Sequence, residues 1–401
     1  MSKRLTVLSL VHNLFFGGDQ TRLLSFAKTY DRDRFRHLVA SIHLPDEEYM
    51  TRFGSMREQF AAEGVDVIEL GKHHGSANRN SIRPDQIFAT VSSLLGVISK
   101  LRSVIREHDV DVIDARLSSP ILVGALTGRI CGIPSVGTTY SFEGKPSLLT
   151  KLVTQVAFGT STAIITDSEV WRTRIEKAIR WPWARVVNIP NGIFPPTIER
   201  IPEDTRAILS VPQDEDTRVI CQVSRLVEYK GHFTLLDAAS QVLTHHPNAF
   251  FLLVGHEEGR DYQSALQAKA ESLGIAHRVR ITGYAGTIGD VWNVIDIHAH
   301  ASHLDSAPNA IIEGMSVGKP AVVTDVGGIP DLVTSGETGL VVPTRDSTAL
   351  AKGICNYLEN VSFAKQMGEA ARKRYVERYT PEIMTRRHQD LFLELCSKRS
   401  K

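Results

Sequence analysis

Residues 295–324 read IDIHAHASHLDSAPNAIIEGMSVGKPAVVT. Two short runs, Ile295–Ala299 and Ala321–Thr324, predict strands, and the segment opened by Pro308 predicts a helix that carries Glu313. Strand, helix and strand within thirty residues imply a crossover between parallel neighbours, since a parallel pair cannot be joined by a tight turn. The same alternation of short apolar runs and longer amphipathic stretches extends to both sides. Before it, strands are predicted at Leu5–Val11, His37–Ile42, Val65–Leu70, Val110–Asp114, Ser135–Thr139, Ala163–Thr166 and Val186–Ile189, then near Arg218–Val223, Phe250–Val254 and Val279–Thr282. After it, one strand follows at Leu340–Val342, and from Thr348 the chain is mostly helical, ending in Glu382–Leu395. The longest predicted helix, Pro84 to His108, opens on a proline whose missing N–H costs little there. Its apolar residues Ile87, Val91, Leu94, Leu95, Ile98, Leu101 and Ile105 have helical spacing.

The alternation lapses once, in PNGIFPPTIERIPEDT (residues 190–205), whose prolines mark a linker. The expected fold class is therefore α/β, with two Rossmann-like, doubly wound domains at 1–195 and 196–375 and a helical segment at 376–401. In such sheets ligands bind beyond the carboxyl ends of the strands, so the informative residues follow each strand.

Composition narrows the function. The 401 residues carry 46 Lys plus Arg against 45 Asp plus Glu, a balance that argues against a nucleic-acid partner and, at 42% hydrophobic, against disorder. Residues 1–195 hold 24 basic and 19 acidic side chains and residues 196–401 hold 22 and 26, so the halves stand at +5 and −4. No run of about 18 apolar residues is present, and the opening MSKRLTVLSLVHN reads as a strand rather than a signal peptide. Cys131, Cys221, Cys355 and Cys396 are scattered singly, the pattern of reduced, buried thiols in a cytoplasmic protein.

Three places carry chemistry. Gly17 and Gly18 follow the first strand and open a helix, where backbone amides can approach an anion; a tight strand-to-helix turn is the competing reading. In VSRLVEYKGH (223–232), Arg225 and Lys230 follow the first strand of the second domain and suit a diphosphate, Arg as a two-oxygen clamp and Lys as a point charge; two solvated surface cations are the competing reading. In DSAPNAIIE, Asp305 sits in a loop and Glu313 eight residues on in a helix. An ionised carboxylate only accepts hydrogen bonds, which suits sugar and ribose hydroxyls. A general acid/base pair and a solvated helix-start carboxylate are the other readings.

Together SRLVEYKGH, LLVGHEEG, DSAPNAIIE and EGMSVGKPAVVTDVGGIPDLV make residues 217–335 resemble the nucleotide-binding half of a family 4 glycosyltransferase of the GT-B fold. The early diglycine loop and NIPNGIF extend the resemblance over nearly the whole chain. It implies two domains facing across a cleft, with the last helix crossing back to the first. It implies a retaining hexosyltransferase that moves a sugar from a nucleotide-diphosphate sugar, a UDP-sugar by preference and a GDP-sugar as second choice. The acceptor would be a hydroxyl of a glycan, lipid-linked or small molecule, in surface polysaccharide or glycoconjugate assembly.

By the same match Arg225 and Lys230 would hold the diphosphate, Asp305 the donor sugar and Glu313 the ribose. Backbone at Asn309, Ala310 and Ile311 would support sugar and phosphate, Gly283 and Tyr284 would meet the base, and Gly17 and Gly18 would cover the diphosphate. The chain departs from the family in carrying Asp305 where a Glu is usual, Asp19-Gln20 after the diglycine, and Tyr140 near a position that often holds His. No cofactor and no metal are implied, the two cations taking the metal's place.

A zinc site among His298, His300 and His303 is disfavoured, although the first two share a strand face. His12 and Tyr140 are the acceptor-side candidates. Leu14-Phe15-Phe16 and the basic first half suggest peripheral contact with the inner membrane face, against loop packing as the alternative. Trp181-Pro182-Trp183 reads as a sugar platform or as a domain staple. Two other functions share the architecture: a nucleotide-sugar 2-epimerase-like isomerase, and a non-catalytic nucleotide-sugar-binding protein.

Overall fold

The computed structural model describes residues 4–15, 17–43, 55–71, 84–140, 148–179, 184–257, 261–283 and 288–398. Phe16, His73, His74, Trp181, Pro182, Trp183 and Tyr284 lie outside them.

The chain forms two units, Met1–Gly192 with Pro381–Lys401, and Ile193–Thr380. The first is built on seven parallel strands: β1 (Leu5–Val11), β2 (Phe35–Ser41), β3 (Asp66–Glu69), β4 (Val112–Arg116), β5 (Ser135–Thr138), β6 (Ala163–Thr166) and β7 (Arg185–Asn188). Their order is β3-β2-β1-β4-β5-β6-β7. The second has six parallel strands: β8 (Arg218–Val223), β9 (Ala249–Val254), β10 (Val279–Thr282), β11 (Ile297–His300), β12 (Ala321–Thr324) and β13 (Leu340–Val342). Their order is β10-β9-β8-β11-β12-β13. Both are doubly wound. The direction of winding reverses between β1 and β4 in one sheet and between β8 and β11 in the other, and loops leaving that point diverge to open a crevice.

Strand sequences explain why both faces are covered. Along β9, Phe250, Leu252 and Val254 enter one core, and Ala249, Phe251 and Leu253 enter the core on the other face. A strand apolar at every position is stable only with helices on both sides. β11 starts two residues later than the apolar run predicts, because the Asp296 side chain accepts the Val219 amide at 2.8 Å. The helix Pro84–Glu107 buries Ile98, Leu101 and Ile105, but Leu95 is 61% exposed and lies off the core-facing stripe.

Three further expectations are corrected. The Pro-rich interval is fastened to the second unit, not free: Ile193 lies in that unit's core, and Asp290 accepts the amides of Glu199 and Arg200 at 2.7 and 2.9 Å. The first unit therefore ends at Gly192. Of the cysteines only Cys221 is buried. Leu14 is a core residue, 5% exposed, and offers nothing to a membrane.

The final helix, Pro381–Ser397, belongs to the first unit. Met384, Leu391, Phe392 and Leu395 share a core with Val7, Phe26, Phe35 and Val112, each fully buried apolar side chain contributing about 1.5–3 kcal/mol. Among the described residues no helix is long and apolar enough to cross a membrane.

Candidate functional site

In the second unit the loops leaving β8, β11 and β12 lie against one another. The turn Glu228–Lys230 ends at Gly231, whose φ is 71°, and a Cβ there would fall 1.9 Å from the Ala301 carbonyl oxygen. A Cβ at Gly327, φ 57°, would fall 1.7 Å from the Asp305 carbonyl oxygen. Glycine at these two points lets the backbones touch. Gln222, the buried polar residue of β8, ties two of the loops: its Nε2 donates to the Lys230 carbonyl at 2.8 Å and its Oε1 accepts the Ala301 amide at 3.1 Å.

Lys230 and Asp305, 75 residues apart, are thereby brought together, with Lys230 Nζ 2.5 Å from Asp305 Oδ2. Ser302 Oγ donates to the same oxygen at 3.0 Å, His300 Nε2 lies 3.0 Å from it, and the Ser306 amide donates to Oδ1 at 3.2 Å. Burial opposes charge on Asp305, but the Lys230 ammonium and the His300 hydrogen bond outweigh it and hold the carboxyl well below its usual range. Such a group accepts hydrogen bonds and has no proton to give.

Glu313 is its opposite. On the helix Asn309–Ser316, its Oε2 accepts from Trp292 Nε1 at 3.3 Å, and burial pushes its carboxyl up. The Ile311 side chain is buried in the core, and its amide donates to the Pro308 carbonyl at 3.1 Å; Asn309 and Ala310 open the helix, half-buried. Arg225 is exposed, its guanidinium on the Tyr229 hydroxyl and 5.8 Å from the Tyr229 ring centroid. Gly283 follows β10 with open space where a Cβ would stand. His298 and His300 are fully buried on one face of β11, whereas His303 Nε2 lies 2.9 Å from Thr234 Oγ1. Among the described residues no three His, Cys, Asp or Glu side chains are grouped to hold a metal ion.

The first unit carries a second charged cluster at the carboxyl end of its sheet. Arg116 bonds Asp114 Oδ2 (3.0 Å), Asp19 Oδ1 (3.3 Å) and the Tyr140 hydroxyl (3.2 Å). Tyr140 donates to Asp19 at 2.5 Å, and Arg22 stacks on its ring at 3.6 Å. Burial raises the Tyr140 phenol above its ordinary value, as does the Asp19 charge, so it serves as a hydrogen-bond donor and not as a base. Arg22 also reaches Asn191 Oδ1 at 2.8 Å and the Gly18 carbonyl at 2.9 Å. Gly17 and Gly18 are exposed; Gly17, φ −171°, is extended and could be any residue on conformational grounds, which weakens the tight-turn reading. His12 is exposed, its Nδ1 3.1 Å from Ser119 Oγ across the β1/β4 crevice. Sequence reading singled out Asp19 only as a departure after the diglycine, and missed Arg22, Arg116, Gln222, Tyr229 and Trp292. The available signal was a charged or polar side chain inside an apolar strand, as in Val112–Arg116 and Arg218–Val223.

Two family models tile the chain: glycosyltransferase family 4 matches residues 16–195, and glycosyl transferases group 1 matches residues 205–374. The chain belongs to glycosyltransferase family 4. This family member is 26% identical over 317 residues to the Vi polysaccharide biosynthesis protein VipC/TviE of Salmonella typhi, covering 75% of this chain and 54% of that one. To the lipopolysaccharide core biosynthesis glycosyltransferase LpsE of Rhizobium meliloti it is 28% identical over 194 residues, covering 48% and 53%. The chain thus spans about half the length of these curated relatives. Its fold matches Anabaena HepE, crystallised in complex with UDP, with a TM-score of 0.79 and 23% identity over 97% of this chain and 100% of that one. This likeness establishes the GT-B fold.

Proposed function

We propose that the protein is a retaining, metal-independent hexosyltransferase that moves a sugar from a nucleotide-diphosphate sugar to an acceptor hydroxyl during surface polysaccharide or glycoconjugate assembly. The observation that carries this reading is the Lys230–Asp305 pair at the β8/β11 switch point, a cation and an ionised acceptor side by side where a doubly wound sheet receives its ligand. The relatives in Vi polysaccharide and lipopolysaccharide core synthesis support the pathway class. HepE was crystallised with UDP, so a UDP-sugar is the donor tested first and a GDP-sugar second.

Lys230 spends one of its three N–H donors on Asp305 and retains two for phosphate oxygens. Arg225 supplies a planar fork beside it. As the bond from the anomeric carbon to the diphosphate oxygen breaks, charge grows on the leaving group and both cations stabilise it. The acceptor hydroxyl bonds to the anomeric carbon from the same face, and its proton passes to the departing phosphate oxygen. Asp305 accepts from hydroxyls of the sugar and Glu313 from the ribose.

The test is a thermal-shift panel of UDP- and GDP-sugars, followed by hydrolysis and transfer assays with the best stabiliser. The expected result is stabilisation by one nucleotide sugar, slow hydrolysis, and about a hundredfold loss of turnover in Arg225→Ala and Lys230→Ala. Unchanged rates in both variants overturn the assignment. Epimerised donor without acceptor indicates the isomerase, and binding without any turnover indicates the non-catalytic protein.

A further inference from the structure

Asp305 and Glu313 are connected beneath the surface by an uninterrupted column of rings. His300 Nε2 meets Asp305 Oδ2 at 3.0 Å. The His300 ring stands edge-on to His298 at 5.7 Å and 71°, His298 stands edge-on to Trp292 at 5.1 Å and 84°, and Trp292 Nε1 donates to Glu313. The column is tight on its helix side, where a Cβ at Gly314 would lie 3.0 Å from the Trp292 ring and 3.3 Å from His298 Nδ1.

The two histidines differ in what their nitrogens do. An ionised carboxylate only accepts, so the His300 proton sits on Nε2, shared between Asp305 Oδ2 and Ser302 Oγ, also 3.0 Å away. His300 Nδ1 and both nitrogens of His298 are buried and have no hydrogen-bond partner among the described residues. Burial keeps both rings neutral, Asp305 opposing this for His300.

Asp305 Oδ2 thus receives Lys230, His300 and Ser302 and is saturated, whereas among the described residues Oδ1 receives only the Ser306 amide. We propose that His300 is a positioning residue which, through its Nε2–H, turns one oxygen of Asp305 inward and leaves the other to the donor's sugar, while His298 serves only as an aromatic spacer between the two carboxylates. The proposal rests on the reading above that Asp305 meets the sugar. It also explains how a carboxylate already paired with Lys230 keeps its orientation when that lysine turns its other donors to a diphosphate.

The experiment compares UDP with UDP-glucose (or GDP with GDP-mannose, should the wild type prefer guanine) on the full chain. His300→Leu is expected to weaken the nucleotide sugar about tenfold, the worth of one hydrogen bond to a charged group, and to leave the nucleoside diphosphate unchanged. His300→Gln, which keeps a terminal N–H, is expected to recover most of the loss, and His298→Phe to bind both as the wild type does. Equal weakening of both ligands by His300→Leu, or no weakening of either, overturns the proposal, as does a loss in His298→Phe equal to that in His300→Leu.

A wild type that binds no nucleotide sugar defeats the functional reading instead. The positioning role is then read directly, by NMR: the His300 imidazole stays in the Nε2–H form across neutral pH, and the Asp305 carboxyl titrates about one unit higher in His300→Leu. An Asp305 titration unmoved by that substitution refutes it.

Discussion

At the end of β4 the Arg116 side chain is 2% exposed and bonds two carboxylates and a phenol, whereas beyond β8 the Lys230 side chain is 11% exposed and pairs with one carboxylate. Both clusters sit at the switch point of a seven- or six-stranded parallel sheet, and both combine Arg or Lys with Asp. The first spends its charge on fastening strand ends to the diglycine helix: Asp19 and Arg22 belong to Gly18–Thr29, Asp114 and Arg116 to β4, and Asn191 follows β7. The second keeps donor capacity in reserve. The same position in one topology therefore serves as a staple in the first unit and, on the function proposed above, as a binding site in the second, depending on how far the charges satisfy one another.

Breaking the staple should cost most. Arg116→Met leaves Asp114 and Asp19 buried without their cation, and is expected to destabilise the protein by about 3–5 kcal/mol in urea denaturation. A loss below about 1 kcal/mol would mean that the cluster is solvated and the contrast with Lys230 false. Tyr140→Phe removes one donor from Asp19 and is expected to cost about 1–2 kcal/mol. Lys230→Ala is expected to cost stability only about 1 kcal/mol, because His300 and Ser302 still hold Asp305.

The smallest effects are pH-dependent and of opposite sign. Asp305 titrates below its unfolded value, so its contribution to stability is complete above about pH 4 and is lost as pH falls further. Asp305→Asn should therefore flatten the acid limb of the stability curve. Glu313 titrates above its unfolded value, so stability is lost as pH rises through the folded value. Glu313→Gln is expected to gain up to about 1 kcal/mol at neutral pH, to gain nothing at acid pH, and to lose donor affinity. A destabilised Glu313→Gln would show that the carboxylate is structural.

Much of this was legible in the chain. Strands are local apolar runs, and the thirteen among the described residues lie where periodicity puts them, within about two residues at their ends. Arg225, Lys230 and Asp305 stood out as candidates because loops after strands are where such sheets bind ligands, and Glu313 because its helix follows the Asp305 loop directly. Leu95 was misplaced because a helical stripe does not reveal its own edge.

What tertiary structure alone decided is which of these residues meet, and in what state. Lys230 reaches Asp305 across 75 residues, Arg22 reaches Asn191 across 169, and the last helix completes a core begun at Val7. Local pattern specifies the face a side chain occupies, but pairing over such separations depends on strand order. The depressed Asp305, the raised Glu313 and the locked Tyr140 follow from burial and neighbours that exist only once the sheets are assembled.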